Sequence, residues 1–340
     1  ISTGFSEFVT DAFPDEVRMQ PTATVNTKMN LEHCLKNDQG KPDILFTQFA
    51  PYGDLLPPVD KKHFDWCVQE TKEYFSQLYQ STKHQPTTHE VFNGYPPGHE
   101  RHGTVNKINL DSSAGIYFQR TYGVQQKKEF FNVDDDGTYR LKPTDAARDY
   151  FSRAMAMVRD LNSGKVPQTL TKTCLKSELR PVEKAQTGKI RTFDSADASL
   201  VLAHRMILMG VMSAVQVRED RIKGPIQIGI NALMDFPELY KRLSNRGGKL
   251  LQFDFTEFDR HLSLELVEAA YHVGLHIQQP GKDHTVLARA LAVQTCCTIR
   301  MVGNTVMRTF QGISPGFYFT SLGDSIANYI MLLYSITKTT

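Results

Sequence analysis

The sequence predicts an α+β fold. Three observations carry that expectation: several segments repeat apolar residues at helical spacing, a few short apolar runs are bounded by turn residues, and the two kinds do not alternate as a regular βαβ wrap does. The first helix runs from about Asp60 to Tyr79, where Phe64, Cys67, Val68, Tyr74, Phe75 and Leu78 recur at helical spacing and lone Trp66 reads as core. Asn93 to Gly103, rich in Pro, Gly and His, reads as a long surface loop. Glu129 to Leu141 reads as a hairpin, because Asp136-Gly137 between apolar strands supplies the positive φ values of a tight turn. A helix starts near Thr144 and stops around Asn162-Ser163-Gly164. Leu200 to about Val217 is an apolar helix, Lys249 to Phe255 a short strand, and Ser263 to Gln279 a helix ended by Pro280-Gly281. The last element, roughly Phe319 to Ile336, puts Leu322, Ile326, Ile330 and Leu333 on one stripe.

Composition narrows the class. With 340 residues, 40% of them apolar and 22% charged, the chain is globular rather than disordered, collagenous or a coiled-coil rod, and long enough for two or three domains. The net charge of +2 says little, because nucleic-acid binding depends on where charges lie. Five cysteines without C-x-x-C spacing read as reduced thiols of a cytosolic compartment. The apolar runs from Leu200 and Ile326 are too short or too interrupted for a transmembrane span. Ile1 in place of Met, with no signal-peptide pattern, reads as a processed product or a fragment.

Two segments carry chemistry. In Gln252 to Ser263, Asp254 ends an apolar strand and Asp259 follows five residues on, as the chain turns toward a helix. A carboxylate on a rigid strand end suits Mg²⁺, which takes hard oxygen ligands; taken alone, however, the pattern is better read as a strand end followed by a helix cap. From Lys172 to Arg191, six basic residues (Lys172, Lys176, Arg180, Lys184, Lys189 and Arg191) stand against Glu178 and Glu183. Such a strip neutralises phosphates, or it is a charged surface segment in which Pro181 prevents a continuous helix.

Together these segments resemble the RNA-dependent RNA polymerases of picornavirus-like RNA viruses. Lys176, Glu178, Arg180, Lys184, Gly188, Lys189 and Arg191 match the fingers motif F in register; Asp254 and Asp259 match palm motif A; Phe310 to Asn328 resembles motif B; and Leu110 to Phe118 resembles motif G. Motif B is also similar to that of partitivirus and picobirnavirus-like polymerases. The resemblance implies a right-hand fold: fingers with fingertips over residues 1–207, palm with motif A over 208–289, a fingers insertion over 290–312, and palm with motif B over 313–340. It implies a palm of small antiparallel sheet backed by helices, with the thumb absent. It also implies RNA-templated transfer of nucleotides to an RNA 3′-end, in viral genome replication, by two divalent ions about 3.5–4 Å apart. By the same resemblance the expected cofactor is Mg²⁺, with Mn²⁺ as the alternative, Asp254 is an expected metal ligand, and Asp254 and Asp259 are the expected catalytic aspartates. The resemblance assigns Lys176, Arg180, Lys184, Lys189, Arg191, Asp259, Thr320 and Asp324 to nucleotide binding and Ser112, Ser113, Gly115, Ser314 and Gly316 to RNA contact. It also implies that Asp259 reads the ribose 2′-hydroxyl, where reverse transcriptases place a bulky aromatic. Expected partners are an RNA template, a primer or nascent strand, NTPs and other viral replication proteins, in host cytoplasm and membrane-associated replication complexes.

Some positions depart from the family pattern. The loop Gly312-Ile313-Ser314-Pro315-Gly316 has Ser and Pro exchanged, and Asp324 replaces the usual helix Asn. If Asp259 and Asp324 approach each other, both cannot ionise cheaply, and a shared proton is expected. Motif C, a Gly-Asp-Asp turn, is expected beyond Asn328, and the chain stops at Thr340; Asp134-Asp135-Asp136 precedes motif F and reads as an ordinary Asp-Gly turn. His261 reads as a helix-start residue, and His99 and His102 lack further metal ligands. The competing readings are a reverse transcriptase-like polymerase and a non-catalytic RNA-binding fragment of the same fold.

Overall fold

The computed structural model of the chain describes residues 24–26, 48–79, 85–96, 103–181, 184, 191–217, 222–231, 233–245, 254–303 and 305–339. In chain order the described strands are β1 (Thr24–Asn26), β2 (Phe131–Val133), β3 (Tyr139–Leu141), β4 (Leu170–Leu175), β5 (Leu179–Pro181), β6 (Thr192–Ser195), β7 (Ile299–Val302) and β8 (Thr305–Arg308). The described helices are α1 (Lys61–Leu78), α2 (Thr88–Asn93), α3 (Ile116–Thr121), α4 (Asp145–Asn162), α5 (Ala198–Ala214), α6 (Phe236–Ser244), α7 (Leu264–Gln278), α8 (Thr285–Cys296) and α9 (Thr320–Thr339). This is an α+β architecture. The chain divides into two compact units: residues 1–47 with 175–192, and residues 48–174 with 193–340. In the smaller unit β1 and β5 pair antiparallel, Val25 opposite Arg180.

In the larger unit the long helices begin where a side chain satisfies an otherwise orphaned N–H. The Asp60, Thr144 and Ser263 side chains accept from the His63, Ala147 and Leu266 amides at the starts of α1, α4 and α7. Helices α1 and α4 then bury one stripe each, such as Phe64, Cys67, Thr71 and Phe75 on α1, whereas α7 is buried nearly all round. The main core gathers α1, α5, α7, α8 and α9. A second core holds α2, the hairpin and α4, with Phe130 stacked on Tyr150 at 4.5 Å. Helix α5 serves both cores: Leu208 and Val211 face the first, Leu202 and Met209 the second. Its two basic residues, His204 and Arg205, are buried as well. The Arg205 guanidinium donates to the carbonyls of Val91 and Asn106, each at 2.6 Å, whereas neither ring nitrogen of His204 has a partner and burial pushes its pKa down to about 4.

The hairpin forms as expected: Gly137 takes φ +77°, and its amide donates to the Asp134 carbonyl at 2.8 Å. The acidic triplet is therefore an Asp-Gly turn. The four-stranded sheet has the order β6-β4-β7-β8 and is mixed, with β4 parallel to β7 and β7 antiparallel to β8. Trp66 corrects the sequence reading. It is 44% exposed and stacks on His63, because it falls on the solvent side of the α1 stripe. The expected strand from Lys249 lies outside the described residues up to Phe253, and Asp254 and Phe255 are coil. His99, His102 and most of the first hundred residues expected as fingertips likewise fall outside them. No described helix is long and apolar enough to cross a membrane.

Candidate active site

The turn after Asp254 is built on one strained residue. Glu257 has φ +52° and is the non-glycine residue with positive φ among those described, a conformation that costs an L-residue about 1 kcal/mol or more. Several bonds hold it there. Its carboxylate pairs with Arg260 at 2.8 Å, its carbonyl accepts from the Arg260 amide at 3.0 Å, and it lies 3.1 Å from Nδ1 of His261. Arg260, buried, also donates to Gln48 Oε1, and Nε2 of His261 lies 3.1 Å from Asp54. His261 thus braces the turn. Asp254 is exposed, whereas Asp259 is half-buried. Burial pushes the Asp259 carboxyl up, Arg260 opposes the rise, and Glu257 adds to it.

The loop Gly312–Gly316 is stitched to this turn through its backbone. The Gly312 amide donates to the Leu262 carbonyl at 2.8 Å, and the Ile313 amide to the Asp259 carbonyl at 2.7 Å. Ser314 is fully buried and its hydroxyl donates to Asp194. Thr320, the first residue of α9, donates its hydroxyl to the carbonyls of Ser314 at 3.0 Å and Phe317 at 3.1 Å. One and two turns further along α9, on the same face, come Asp324 and Asn328. Each has a buried side-chain Oδ1 with no hydrogen-bond partner. Burial, reinforced by the charge of Asp259, pushes Asp324 up to about 7. The loop therefore unites Asp259, Thr320 and Asp324, while leaving two buried acceptors unsatisfied.

The Leu110–Phe118 segment is set by its own turn. The Ser112 hydroxyl donates to the Asn109 carbonyl, and Ser113 Oγ accepts from the Gly115 amide at 3.0 Å and from the Gln119 side chain at 3.3 Å. Gly115 has φ +87°, and a Cβ there would lie 2.9 Å from both the Ala196 carbonyl oxygen and Asp197 Cα, so glycine is required. Lys127, whose amide donates to the Ser112 carbonyl, has its ammonium pKa lowered to about 8 by burial and by Arg205.

Within the smaller unit, Glu178 sits between two of the expected triphosphate cations, 3.7 Å from both Lys176 Nζ and an Arg191 guanidinium nitrogen. The Lys176 amide donates to the Arg191 carbonyl, closing the two ends of the strip. Arg180 lies on β5, Lys184 is exposed, and Lys189 is outside the described residues.

The profile of the family described as viral RNA-dependent RNA polymerase matches residues 42–340. The chain belongs to that family. It is 25% identical over 250 residues, 72% of its length, to the RNA1 polyprotein of Grapevine chrome mosaic virus. It is 27% identical over 236 residues, 69% of its length, to the genome polyprotein of Human hepatitis A virus genotype IIIB. These matches span only 11% and 10% of the two polyproteins. Among solved structures, the Sicinivirus 3Dpol RNA dependent RNA polymerase superposes with a TM-score of 0.66 at 20% identity, over 89% of this chain and 59% of that one. The polymerase fold is therefore shared.

Four features of this polymerase chain were not read from sequence: the left-handed Glu257, the perturbed Lys127, and the buried pair Asp194 and Arg300. Arg300 left a faint signal, a cation at an inward position of the β7 alternation.

Proposed function

We propose that the chain forms part of an enzyme that synthesises RNA on an RNA template, transferring nucleotides from NTPs to an RNA 3′-end in viral genome replication. The observation that supports this best is the Asp259 turn. Its backbone is bonded to the Gly312–Gly316 loop, and its carboxylate is close enough to Asp324 to raise that group's pKa. Two half-buried acids, both pushed toward the protonated form, offer an acceptor and a donor to a ribose 2′-hydroxyl, which deoxynucleotides lack.

Asp254 fits a divalent cation as one ligand. Its carboxylate is exposed, and among the described residues no cluster of three or more His, Cys, Asp or Glu could hold a metal alone. That donor set suits Mg²⁺ or Mn²⁺ shared with substrate phosphates. When bound, such ions would activate the attacking 3′-oxygen and neutralise the leaving pyrophosphate. The protein's own contributions are positional. Arg260 and His261 hold the turn that carries Asp259; Lys176 and Arg191, oriented by Glu178, meet the triphosphate; Arg180, Lys184 and Lys189 extend that positive strip. The Ser112–Gly115 turn and the loop ending at Gly316 guide RNA. Host cytoplasm and membrane-associated complexes with other viral replication proteins are the proposed setting.

Primer extension with matched NTP and dNTP sets tests the assignment. Asp259→Ala is expected to reduce discrimination against dNTPs at least tenfold, while Asp324→Asn keeps it. Preference for dNTPs in the wild type would favour a reverse transcriptase, and RNA binding without extension would favour a non-catalytic domain.

A further inference from the structure

The exchange of Ser and Pro in the Gly312–Gly316 loop has a structural counterpart in the sheet beneath it. Asp194, on β6, is almost fully buried, and three side chains converge on its carboxylate. Thr173, on β4, donates to Oδ1 at 2.6 Å; Arg300, on β7, donates to Oδ2 at 2.6 Å; and Ser314 donates to the same Oδ2. Because the strand order is β6-β4-β7, Arg300 reaches across β4, so the cluster spans three strands on one face of the sheet. Tyr52 completes it, its hydroxyl 3.3 Å from Arg300 and its ring 4.5 Å from the guanidinium carbon. The backbone of Asp194 joins in. Its amide donates to the Pro315 carbonyl at 2.7 Å, and a Cβ on Gly316, at φ +118°, would fall 2.4 Å from its carbonyl oxygen. Three consecutive loop residues therefore rest on one residue of β6.

A buried ion pair between strands is weak evidence of stability, since desolvation offsets much of the attraction. Here the pair does more than join strands, because Ser314 lies between it and the candidate site. The Ser314 hydroxyl goes to Asp194, its carbonyl accepts from Thr320 at the start of α9, and the amide of its neighbour Ile313 donates to the Asp259 carbonyl. A shift of Ser314 would disturb the supports of both Asp259 and Asp324. With the usual order of Pro and Ser exchanged, the hydroxyl is one residue displaced and turned into the protein rather than toward a substrate.

We infer that Asp194 is a positioning residue: held by Arg300 and Thr173, it latches the Gly312–Gly316 loop through Ser314, and so fixes the relative placement of Asp259 and Asp324 on which ribose selection depends. This rests on the polymerase reading above. Ser314→Ala is the decisive variant, because it removes one hydrogen bond and leaves the ion pair intact. Losing that bond is expected to speed hydrogen exchange across residues 311–319 of the chain by roughly fivefold, the factor matching a net hydrogen bond of about 1 kcal/mol. In the polymerase containing this chain, the ratio of kcat/KM for NTPs over dNTPs should fall about tenfold, mainly through KM for the NTP. Leu291→Ala, a core truncation on α8 that makes no hydrogen bond to the loop, serves as a stability control and should leave that ratio unchanged. Wild-type selection together with wild-type loop exchange in Ser314→Ala would overturn the inference alone. An equal loss of selection in Leu291→Ala would overturn it too, by showing that general destabilisation suffices. Absence of any templated extension by the wild type would overturn both this inference and the polymerase reading.

Discussion

Asp324 makes stability depend on pH in a direction opposite to that of an ordinary salt-bridged carboxylate. Its pKa is pushed up to about 7 in the folded chain, against about 3.9 for an unperturbed aspartate. The folded state therefore binds more protons than the unfolded state between those values, and stability falls as pH rises. Below about pH 4 the group costs nothing; above about pH 7 the full difference, roughly 4 kcal/mol as an upper bound, is lost. From about pH 5 to about pH 7.5 the expected loss is roughly 2–3 kcal/mol. Asp324→Asn keeps the size of the side chain and removes the titration. Urea unfolding of the chain in EDTA, repeated across that range, measures both proteins. Asp259 is coupled to Asp324, so the difference between the two profiles reports the titration of the acid pair. The variant should be the more stable protein at the upper end of the range, with the two converging toward pH 5. Parallel profiles, or a wild type that gains on the variant as pH rises, would refute the reasoning.

Three further outcomes follow from the described geometry. Arg300→Met leaves Asp194 buried without its cation and should cost about 3–5 kcal/mol, whereas the double variant with Asp194→Asn should recover much of that loss in the same urea assay. Gly115→Ala forces an L-residue to φ +87° and into backbone atoms at 2.9 Å; a loss of about 2 kcal/mol or more is expected, together with weaker RNA binding in a filter assay, and an unchanged midpoint would contradict the turn. Glu257→Asn and Glu257→Val both lose the ion pair to Arg260, so their difference in thermal melting isolates the backbone, and Val should be clearly worse because Asn accepts the left-handed region.

How much of this was legible in the sequence differs by element. Helices α1, α4 and α9 are legible because each buries one face, and α7, buried nearly all round, because Ser263 caps its start and Pro280-Gly281 follows its end. Helix α8, in contrast, packs within the main core and has apolar or small residues nearly all round, which blurs its period. The four-stranded sheet was hidden for another reason. Its inward positions include Thr171, Thr173, Asp194 and Arg300, polar groups that pair with one another or lie in the interior and break the apolar alternation of a half-buried strand. Trp66 was misread because a large aromatic was weighed by type rather than by its place on the helix stripe. At the candidate site, Asp259, Thr320 and Asp324 could be named from motif spacing alone. The inward turn of the Ser314 hydroxyl could not, because its partner lies 120 residues earlier on another strand. Perturbed groups such as Lys127 escaped for the same reason, since burial is a property of the assembled fold.

The proposal that the Asp254 turn and the loop bonded to it serve RNA-templated RNA synthesis is open to direct test. The most direct measurement is primer extension on an RNA template with NTPs and Mg²⁺, using the polymerase that contains this chain and its Asp254→Ala variant side by side. The wild type should show template-dependent extension and the variant a loss of at least a thousandfold, on the order of 4 kcal/mol of transition-state stabilisation, with RNA affinity retained. Equal extension by the two proteins would contradict the proposal.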